Sequence, residues 1–246
     1  MKAAPDAQRR LLDLQAIDTA LQQLAHRRST LPQNSALNAV GREIADLDDE
    51  RVRGQVAVDD IDRDIARLDR DTEQVRSRAA KDRSRLDAGS GPARELEALQ
   101  HEISSLARRQ SELEDAELEL MEQRDRAQAV VDQTLTNLED ARGRRSTLEA
   151  ERDKATADIA SDEEWKRSSR RPLADDLPDD LVALYDKIRE TSGGIGAALL
   201  RSGRCGGCRI ELSGGERARV KAAPPDEVVR CDECRRIMVR TEESGL

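Results

Sequence analysis

The stretch "DAGSGPARE" (residues 87–95) interrupts two long runs of sequence that share the same apolar repeat. Gly89, Gly91 and Pro92 do not favour a continuous helix, and proline is suited to the first turn of a new helix. Two long helices joined by a turn of about five residues must run antiparallel. The stretch therefore predicts a helical hairpin with its turn near residues 87–92.

Apolar residues recur at alternating steps of three and four on both sides of this turn. Such steps lead from Leu37 to Leu86 before the turn and from Leu96 to Ile159 after it. The weaker positions of the first run are Arg51, Gly54 and Asp82. A repeat kept over about seven heptads is typical of a left-handed coiled coil. We therefore predict an intramolecular antiparallel coiled coil.

A shorter apolar segment precedes the hairpin and ends at Pro32. The helix before the turn is shorter than the helix after it. We therefore expect this first segment to pair with the remaining end of the long helix, across a kink near Pro32. Together these helices form a predicted hairpin region over residues 1–160.

The composition suits long solvated helices and offers little material for a large globular core. The chain has 246 residues, of which 38% are charged, a net charge of -9, one Trp, one Tyr and no Phe. No segment approaches the roughly 18 apolar residues of a membrane span, and the first residues do not resemble a signal peptide. We expect a soluble, cytoplasmic protein that does not bind membranes.

The helical region shows no catalytic grouping. His26 and His101 lie on separate predicted helices, and neither belongs to an HExxH or similar metal motif. The carboxylates are dispersed at helical spacing, without the isolated pair that acid and base catalysis requires. These observations disfavour an enzyme.

Residues 161–192 are predicted to form a connecting helical segment. Ser161 and Glu164 have the spacing of a capping box, and Arg171 followed by Pro172 predicts a helix end. A short amphipathic helix then follows within "LPDDLVALYDKIRETSGG" (residues 177–194). We interpret the two aromatic residues, Trp165 and Tyr185, as packing residues where the helices meet the C-terminal region.

All four cysteines lie near the C-terminal end in two CxxC pairs: Cys205 with Cys208, and Cys231 with Cys234. Each pair places two thiolates on one tight turn, and two such turns supply the four soft ligands of a tetrahedral zinc site. Four thiolates leave no open position for water, so we expect one structural Zn²⁺. Redox chemistry, the alternative for CxxC, normally uses a single motif at a helix start.

Short runs of strand-compatible residues flank the cysteines: "GAALLR", "RIEL", "EVVR" and "RIMVR", with "SGG" and "APP" as turns between them. They predict a C4 zinc ribbon over residues 193–246. The predicted fold is thus mainly α, a long kinked antiparallel coiled-coil hairpin followed by a small β zinc ribbon.

The stretch "LSGGER" (residues 212–217), between the two cysteine pairs, matches the signature of ABC-type ATPases. Such an ATPase also needs a GxxxxGK[ST] phosphate loop and a strand that ends in an acidic residue. No Gly-Lys dipeptide occurs in the chain. We therefore interpret "SGG" as a turn and expect no nucleotide partner.

With these features together, the chain resembles the bacterial C4-type zinc-ribbon family with an N-terminal coiled-coil hairpin, a former domain of unknown function related to CT398-like proteins. The resemblance is most specific in "LPDDLVALYDKIRE", in the glycine-rich residues before and within "CGGC", and in "CDECRRIMV". In the last of these, Asp232 and Arg235 replace the usual Pro and Gly. The resemblance implies a non-enzymatic protein with a helical arm and a zinc ribbon that contacts nucleic acid or protein partners.

The ribbon is mildly basic on an acidic chain. Between Gly196 and Arg240 there are ten basic and six acidic residues, a formal charge of +4, to which a zinc tetrathiolate adds about -2. Arginine pairs well with phosphate, but the ribbon has no aromatic residue to stack on bases. The alternative is that these side chains only cover a small ribbon. The candidate phosphate or partner contacts are Arg209, Arg217, Arg219, Lys221, Arg235 and Arg236.

We therefore expect a non-enzymatic adaptor or scaffold that binds a protein partner. The second hypothesis is a protein that contacts DNA or RNA phosphates through the basic ribbon. Binding that weakens with salt would favour the second hypothesis, and salt-resistant binding at apolar positions of the hairpin would favour the first. No sequence feature specifies an oligomeric state.

Overall fold

The computed structural model describes all 246 residues, which form two compact units. We call Ser35–Glu149 the hairpin unit, and Met1–Asn34 together with Ala150–Leu246 the ribbon unit. None of the helices combines the length and apolar character that are needed to span a bilayer.

The chain is mainly helical, and its strands are confined to the C-terminal part. The helices are α1 (Pro5–Ser29), α2 (Pro32–Asp87), α3 (Ala93–Asp175), α4 (Asp179–Thr191) and α5 (Gly214–Ala222). The strands are β1 (Ala197–Arg201), β2 (Arg204–Cys205), β3 (Val229–Arg230) and β4 (Ile237–Val239), and a short 3₁₀ helix covers Glu242–Ser244.

The hairpin unit is the predicted antiparallel pair of helices. Gly89 in the turn has a φ of 64°, a left-handed conformation that favours glycine. Ion pairs join early residues of α2 to late residues of α3 and the reverse, as in Glu43 with Arg144 and Arg76 with Glu114, both at 2.6 Å. These pairs are solvent-exposed, so each contributes little stability.

The seam between α2 and α3 follows the predicted repeat. Every position reached by steps of three and four from Leu37 to Leu86 is buried or half-buried. On α3 the same holds from Leu96 to Ile159, with Arg145 as the exposed exception. The apolar repeat therefore determines which face of each helix is buried.

Gly54 is not the weak position that the sequence suggested. A Cβ atom at this residue would lie 2.8 Å from Cγ2 of Val131, which is nearly fully buried. The glycine thus lets the two helices approach closely at this level of the hairpin.

In the ribbon unit, α1 packs against the C-terminal part of α3 and against α4. This confirms the predicted pairing of the first segment with the far end of the long helix. Strands β1 and β4 complete the same core. The buried core residues are Ala3, Leu11, Leu14, Leu177, Leu181, Tyr185, Ile188, Ala197, Ile237 and Val239.

A buried ionic network lies beside this core. Asp18 on α1 is 2% exposed and accepts hydrogen bonds from Arg170 Nε of α3 at 2.7 Å and from the Tyr185 hydroxyl of α4 at 2.8 Å. Arg170 also donates to Asp186 at 2.7 Å. Burial, and then the bond to Asp18, raise the pKa of Tyr185. The network joins three helices through charges that compensate one another.

Two predictions about residues 161–192 are wrong. Helix α3 begins no new segment at Ser161 and continues past Pro172 to Asp175. Ser161 does not cap a new helix, because no helix-breaking residue precedes it and α3 continues through it. Leu173 and Ala174 pack against the apolar core of the unit, and this burial offsets the hydrogen bond that Pro172 cannot make.

The two aromatic residues differ in their environment. Tyr185 is fully buried, as expected, but Trp165 is 63% exposed and is not a packing residue. The helix face that meets α1 carries Ile159 and Glu163, both buried, and Trp165 lies beside that face. Glu163 forms ion pairs with Arg28 and Arg167.

The four strands form one sheet in the order β2-β1-β4-β3. Strand β1 is antiparallel to β2 and parallel to β4, and β3 is antiparallel to β4. The predicted strands in "GAALLR", "EVVR" and "RIMVR" are present. "RIEL" forms no strand beyond one isolated bridge from Glu211 to Arg204. The strand propensity of "RIEL" is not sufficient to form a strand, because the segment has no partner strand along its full length.

The predicted division into residues 1–160, 161–192 and 193–246 differs from the two units. Residue 160 lies inside α3, and the zinc ribbon shares its core with α1 and α4. The first residues also join the ribbon, because the Ala3 amide donates to Asp226 at 2.7 Å and the Val228 amide donates to Met1 at 3.1 Å. The ribbon is thus built into a larger unit.

Candidate metal centre

The structure brings the four predicted cysteines together at the end of the sheet. Cys205 ends β2, and Cys231 directly follows β3. The Sγ atoms of Cys205 and Cys234 are 3.7 Å apart, and those of Cys208 and Cys231 are 3.8 Å apart. All four sulfur atoms lie within 4.8 Å of one another.

This arrangement fits one zinc ion. A tetrahedral ion with Zn–S bonds of about 2.3 Å places its sulfur ligands about 3.8 Å apart. Four thiolates are also the soft donor set that zinc prefers for structural sites. When bound, the ion would cross-link the two CxxC turns, and these four cysteines would hold it.

The two turns repeat the same backbone hydrogen bonds. In the first, the Arg209 amide donates to Cys205 at 2.7 Å and the Cys205 amide donates to Ile210 at 3.0 Å. In the second, the Arg235 amide donates to the Cys231 carbonyl at 2.9 Å, and the Cys231 amide donates to the Arg236 carbonyl at 3.0 Å. Each turn therefore presents its thiols from the same local fold.

The residue after each second cysteine has an unusual backbone. Arg209 and Arg235 have φ values of 64° and 62°, in the left-handed region that glycine adopts most easily. This explains why Gly is the usual residue at the position of Arg235. Each arginine costs about 1 kcal/mol or more in local conformational energy.

The thiols differ in acidity. Burial raises the pKa values of Cys205 and Cys231. Burial acts in the same direction on Cys234, but hydrogen bonds from the backbone of Arg236 and from the neighbouring thiols outweigh it and lower the pKa. Because zinc binds thiolates, loading the site must release protons.

A second apolar cluster packs around the cysteines. Its apolar members other than cysteine are Leu200, Leu212, Val220, Val229, Met238 and Leu246. The backbone of the first CxxC turn also packs closely against β1, because a Cβ atom at Gly206 would lie 2.7 Å from the carbonyl oxygen of Leu199. The site is thus enclosed by the fold, as expected for structural zinc.

Three of the six predicted contact residues bind internal acceptors. Arg217 donates to the carbonyl of Gly245. Arg219 pairs with both carboxylate oxygens of Asp232, at 2.7 and 2.8 Å. Arg236 donates to the carbonyls of Ser192 at 2.5 Å and Ile195 at 3.1 Å. These three side chains therefore stabilise the fold of the ribbon.

The other three, Arg209, Lys221 and Arg235, are exposed and their side chains have no internal partner. In Arg235 the backbone carbonyl accepts a bond from Arg230, but the guanidinium makes none. The structure leaves these three side chains free to meet a ligand.

Residues 213–216 have a role that the sequence analysis missed. "SGG" starts helix α5 and is not a turn between strands, because Ser213 Oγ accepts the Glu216 amide at 3.2 Å. The buried Glu216 carboxylate in turn accepts the Asp232 amide, next to Cys231, at 2.9 Å. The S-x-x-E spacing of a capping box was the available signal.

Two other supports of the site had no local signal. The Arg240 guanidinium donates to five backbone carbonyls, those of Val220, Ala223, Pro224, Pro225 and Glu227. Gln15 on α1 accepts the Gly196 amide at 2.7 Å and donates to Gly194 at 2.9 Å. Their partners are far away in the sequence, so only the tertiary structure identifies them.

Two family models match the chain. Residues 14–193 match the CT398-like coiled coil hairpin domain, and residues 204–238 match the C4-type zinc ribbon domain. An uncharacterized protein of Mycobacterium tuberculosis is 39% identical over 242 residues, which cover 98% of both chains. An uncharacterized protein of Mycobacterium leprae is 32% identical over 221 residues, 88% of this chain and 93% of that protein.

Two solved structures are similar over nearly the full length. A structure from Mycobacterium smegmatis has a TM-score of 0.87 at 34% identity and covers 98% of this chain and 100% of its own. CT398 from Chlamydia trachomatis has a TM-score of 0.69 at 18% identity and covers 95% of this chain and 97% of its own. The second likeness concerns the fold alone.

Proposed function

Because the chain belongs to the CT398-like coiled coil hairpin family and carries a C4-type zinc ribbon, we propose that it is a non-enzymatic adaptor. In this proposal the hairpin unit binds one protein through apolar side chains on its outer faces. The zinc ribbon binds a second protein.

The exposed apolar side chains of the hairpin unit carry this proposal. Six of the nine large apolar residues that the chain exposes lie on α2 or α3 within this unit. They are Val52, Val56, Leu118, Met121, Val130 and Leu135, with exposed fractions of 43% to 60%. The seam already supplies the burial that holds the two helices together. The pairing of the two helices therefore does not depend on these outer residues.

Leu118 and Met121 form the best-defined contact on this surface. They lie three residues apart on α3, so their side chains are neighbours on one face, and they are 60% and 47% exposed. Methionine adapts its shape to different apolar surfaces and is common at interfaces. Such a pair suits the apolar face of a partner helix.

The ribbon offers a smaller contact of the same kind. Ile210, in the first zinc turn, is 49% exposed. It follows Arg209, whose side chain is free and whose backbone is held in the left-handed region. Together they present one apolar and one cationic group at the zinc site.

The chemistry of the site supports a non-enzymatic role. Four thiolates complete a tetrahedral zinc shell and leave no position for a substrate or a water molecule. The histidines, His26 and His101, are exposed and lie in different units. We infer that the zinc stabilises the fold.

Nucleic-acid binding through the ribbon is the competing hypothesis, and Arg209, Lys221 and Arg235 are the residues that favour it. Three other basic residues of the ribbon pair with carboxylates. Arg201 pairs with Glu243 at 3.2 Å, Arg204 with Glu211 at 3.3 Å, and Arg219 with Asp232. Paired arginines attract phosphate weakly, so we favour a protein partner.

Site-specific photo-cross-linking tests the adaptor proposal. A photoreactive residue placed at Leu118 or Met121, in cells that express the full chain, should give one discrete cross-linked protein. The same residue at Gln123, which is exposed on the other side of the helix, serves as the control. Leu118→Asp should remove the product obtained at Met121, and its persistence would contradict the proposal.

Fluorescence anisotropy tests the competing hypothesis. Labelled duplex and single-stranded DNA and RNA are titrated with the zinc-loaded chain over a salt series. We expect no saturable binding near physiological salt. Binding that falls steeply with salt and weakens in Arg209→Ala, Lys221→Ala and Arg235→Ala would replace the adaptor proposal with nucleic-acid binding.

A further inference from the structure

The largest exposed aromatic surface of the chain lies in the ribbon unit, apart from the zinc site. Trp165 is the only Trp and is 63% exposed. Tryptophan is rarely left open to solvent and is enriched at the centres of protein interfaces. Its exposure is therefore not explained by the packing of the unit.

Trp165 lines a groove between α1 and the C-terminal part of α3, with a volume of about 370 Å³. Ala20 and Leu24 of α1 are half-buried and line it with apolar side chains. The polar residues that line it are Gln23, Arg27, Asp162 and Lys166. We call this surface the Trp165 groove. Two helices bound it, and such grooves accept the apolar face of a third helix.

The charges of the groove are not balanced within the chain. Arg28 and Arg167 pair with Glu163, but Arg27 and Lys166 have no carboxylate partner. Lys166 lies over the Trp165 ring, with Nζ 4.6 Å from the ring centre. Asp162 is the one carboxylate that lines the groove. On a chain with a net charge of -9, the groove is a local cationic site.

The surface next to the groove on α1 adds no negative charge. A second depression shares Arg27 with the groove and also includes His26, and no carboxylate lines it. Arg27 is the charged residue of this depression, and it already belongs to the groove. An acidic partner segment would therefore be attracted by Arg27 and Lys166 and would meet no carboxylate in the neighbouring depression, whereas a basic segment would gain no such ion pairs.

We propose that the Trp165 groove binds an acidic amphipathic helix of a partner protein. An apolar residue of that helix packs on Trp165, Leu24 and Ala20, and its flanking Asp or Glu side chains pair with Arg27 and Lys166. The inference rests on the adaptor function proposed above and names a third contact of the chain, separate from Leu118 and Met121.

The test is a selection from a displayed library of amphipathic helices with a fixed apolar face and random flanking residues. The library is panned on the full zinc-loaded chain and depleted on Trp165→Ala. We expect the retained helices to carry Asp or Glu in their flanks. Retention of basic or uncharged flanks, or no retention relative to Trp165→Ala, would overturn the proposal.

A selected peptide is then labelled and titrated with variants. The charge reversal Arg27→Glu with Lys166→Glu should weaken binding about tenfold or more. The double reversal Arg142→Glu with Lys154→Glu, at exposed residues elsewhere on α3, should leave it within about twofold. Because Trp165 is the sole Trp, its emission should also shift on binding. Equal effects of the two charge changes would contradict the proposal.

The result is separable from that of the cross-linking experiment. Cross-links at Leu118 with no selected helix would remove only the groove proposal. Selected acidic helices without cross-links at Leu118 would remove the hairpin contact and retain the groove. If Trp165→Ala instead converts a dimer to a monomer in sedimentation, the groove holds a second copy and the proposal is wrong.

Discussion

The hairpin unit and the ribbon unit are stabilised in different ways. The hairpin unit buries a narrow apolar seam, and its ion pairs are exposed. The ribbon unit buries a wider apolar core, an ionic network around Asp18 and a four-thiol site. The first depends on a repeat that is local in the sequence, and the second depends on contacts between distant residues. Substitutions in the two units should therefore differ in size and kind.

The largest effect is expected at the zinc site. Cys208→Ser removes one of four ligands, and zinc binding contributes on the order of 10 kcal/mol to small modules of this type. The ribbon should lose zinc and become sensitive to protease, while the hairpin unit keeps its helices. Limited proteolysis with zinc analysis measures this, and a chelator should reproduce it.

Lys221→Ser, an exposed change on α5, is the control and should retain zinc. Unchanged protease resistance of residues 193–246 in Cys208→Ser would contradict the structural role of zinc. Because the ribbon shares a core with α1 and α4, we also expect new cleavage sites in α4.

Asp18→Asn should give the next largest effect. It leaves the Arg170 guanidinium with Asp186 as its remaining partner and weakens the link between α1, α3 and α4. Removing one member of a buried charge pair costs about 3 kcal/mol. Urea unfolding followed by the near-ultraviolet dichroism of Tyr185 measures this loss. Asp13→Asn, an exposed change on α1, should have almost no effect.

Gly54→Leu tests the close packing of the hairpin unit. The new side chain must displace Val131 or separate the helices, which costs about 1 to 3 kcal/mol. Gly143→Ala is the comparison, since no atom lies within 4 Å of the new Cβ and helix propensity alone should stabilise by up to about 1 kcal/mol. Thermal unfolding followed by helical dichroism distinguishes them. Equal stabilisation by both would contradict the close approach at Gly54.

High pH should destabilise the ribbon unit through Tyr185. Its pKa is raised in the folded chain, so its contribution to stability is present below the unfolded value of about 10 and is lost as pH rises above it. The free energy of unfolding should fall by up to about 1.4 kcal/mol per pH unit in that range. Tyrosinate absorbance reports only this residue, because the chain has one Tyr. Tyr185→Phe should lack this component of the slope.

Arg235→Gly should give the smallest effect, a stabilisation of about 1 kcal/mol. The substitution removes the cost of a side chain at a φ of 62° and deletes no side-chain hydrogen bond. Thermal unfolding of the zinc-loaded ribbon measures it. Glu233→Gly, in the same turn but without a positive φ, should be neutral or destabilising. A loss of stability in Arg235→Gly would indicate that the arginine contributes an interaction to the fold.

The sequence by itself determined the hairpin, the faces of α2 and α3 that are buried, and the four zinc ligands. These features depend on local rules, because an apolar repeat, a glycine-proline turn and a CxxC pair each act within a few residues. The prediction of residues 161–175 failed because capping and proline signals were local and the packing of Leu173 and Ala174 was not.

The tertiary structure alone decided which charges are buried, which arginines remain free and which strands pair. Asp18 and Arg170 are 152 residues apart in the sequence. Strand β1 pairs in parallel with β4, although both CxxC pairs lie between these two strands in the sequence. No local pattern specifies such contacts, because their free energy comes from desolvation and geometry that exist only once the chain has folded. The exposure of Trp165 arises in the same way, since the face of α3 that meets α1 is set by the packed helices.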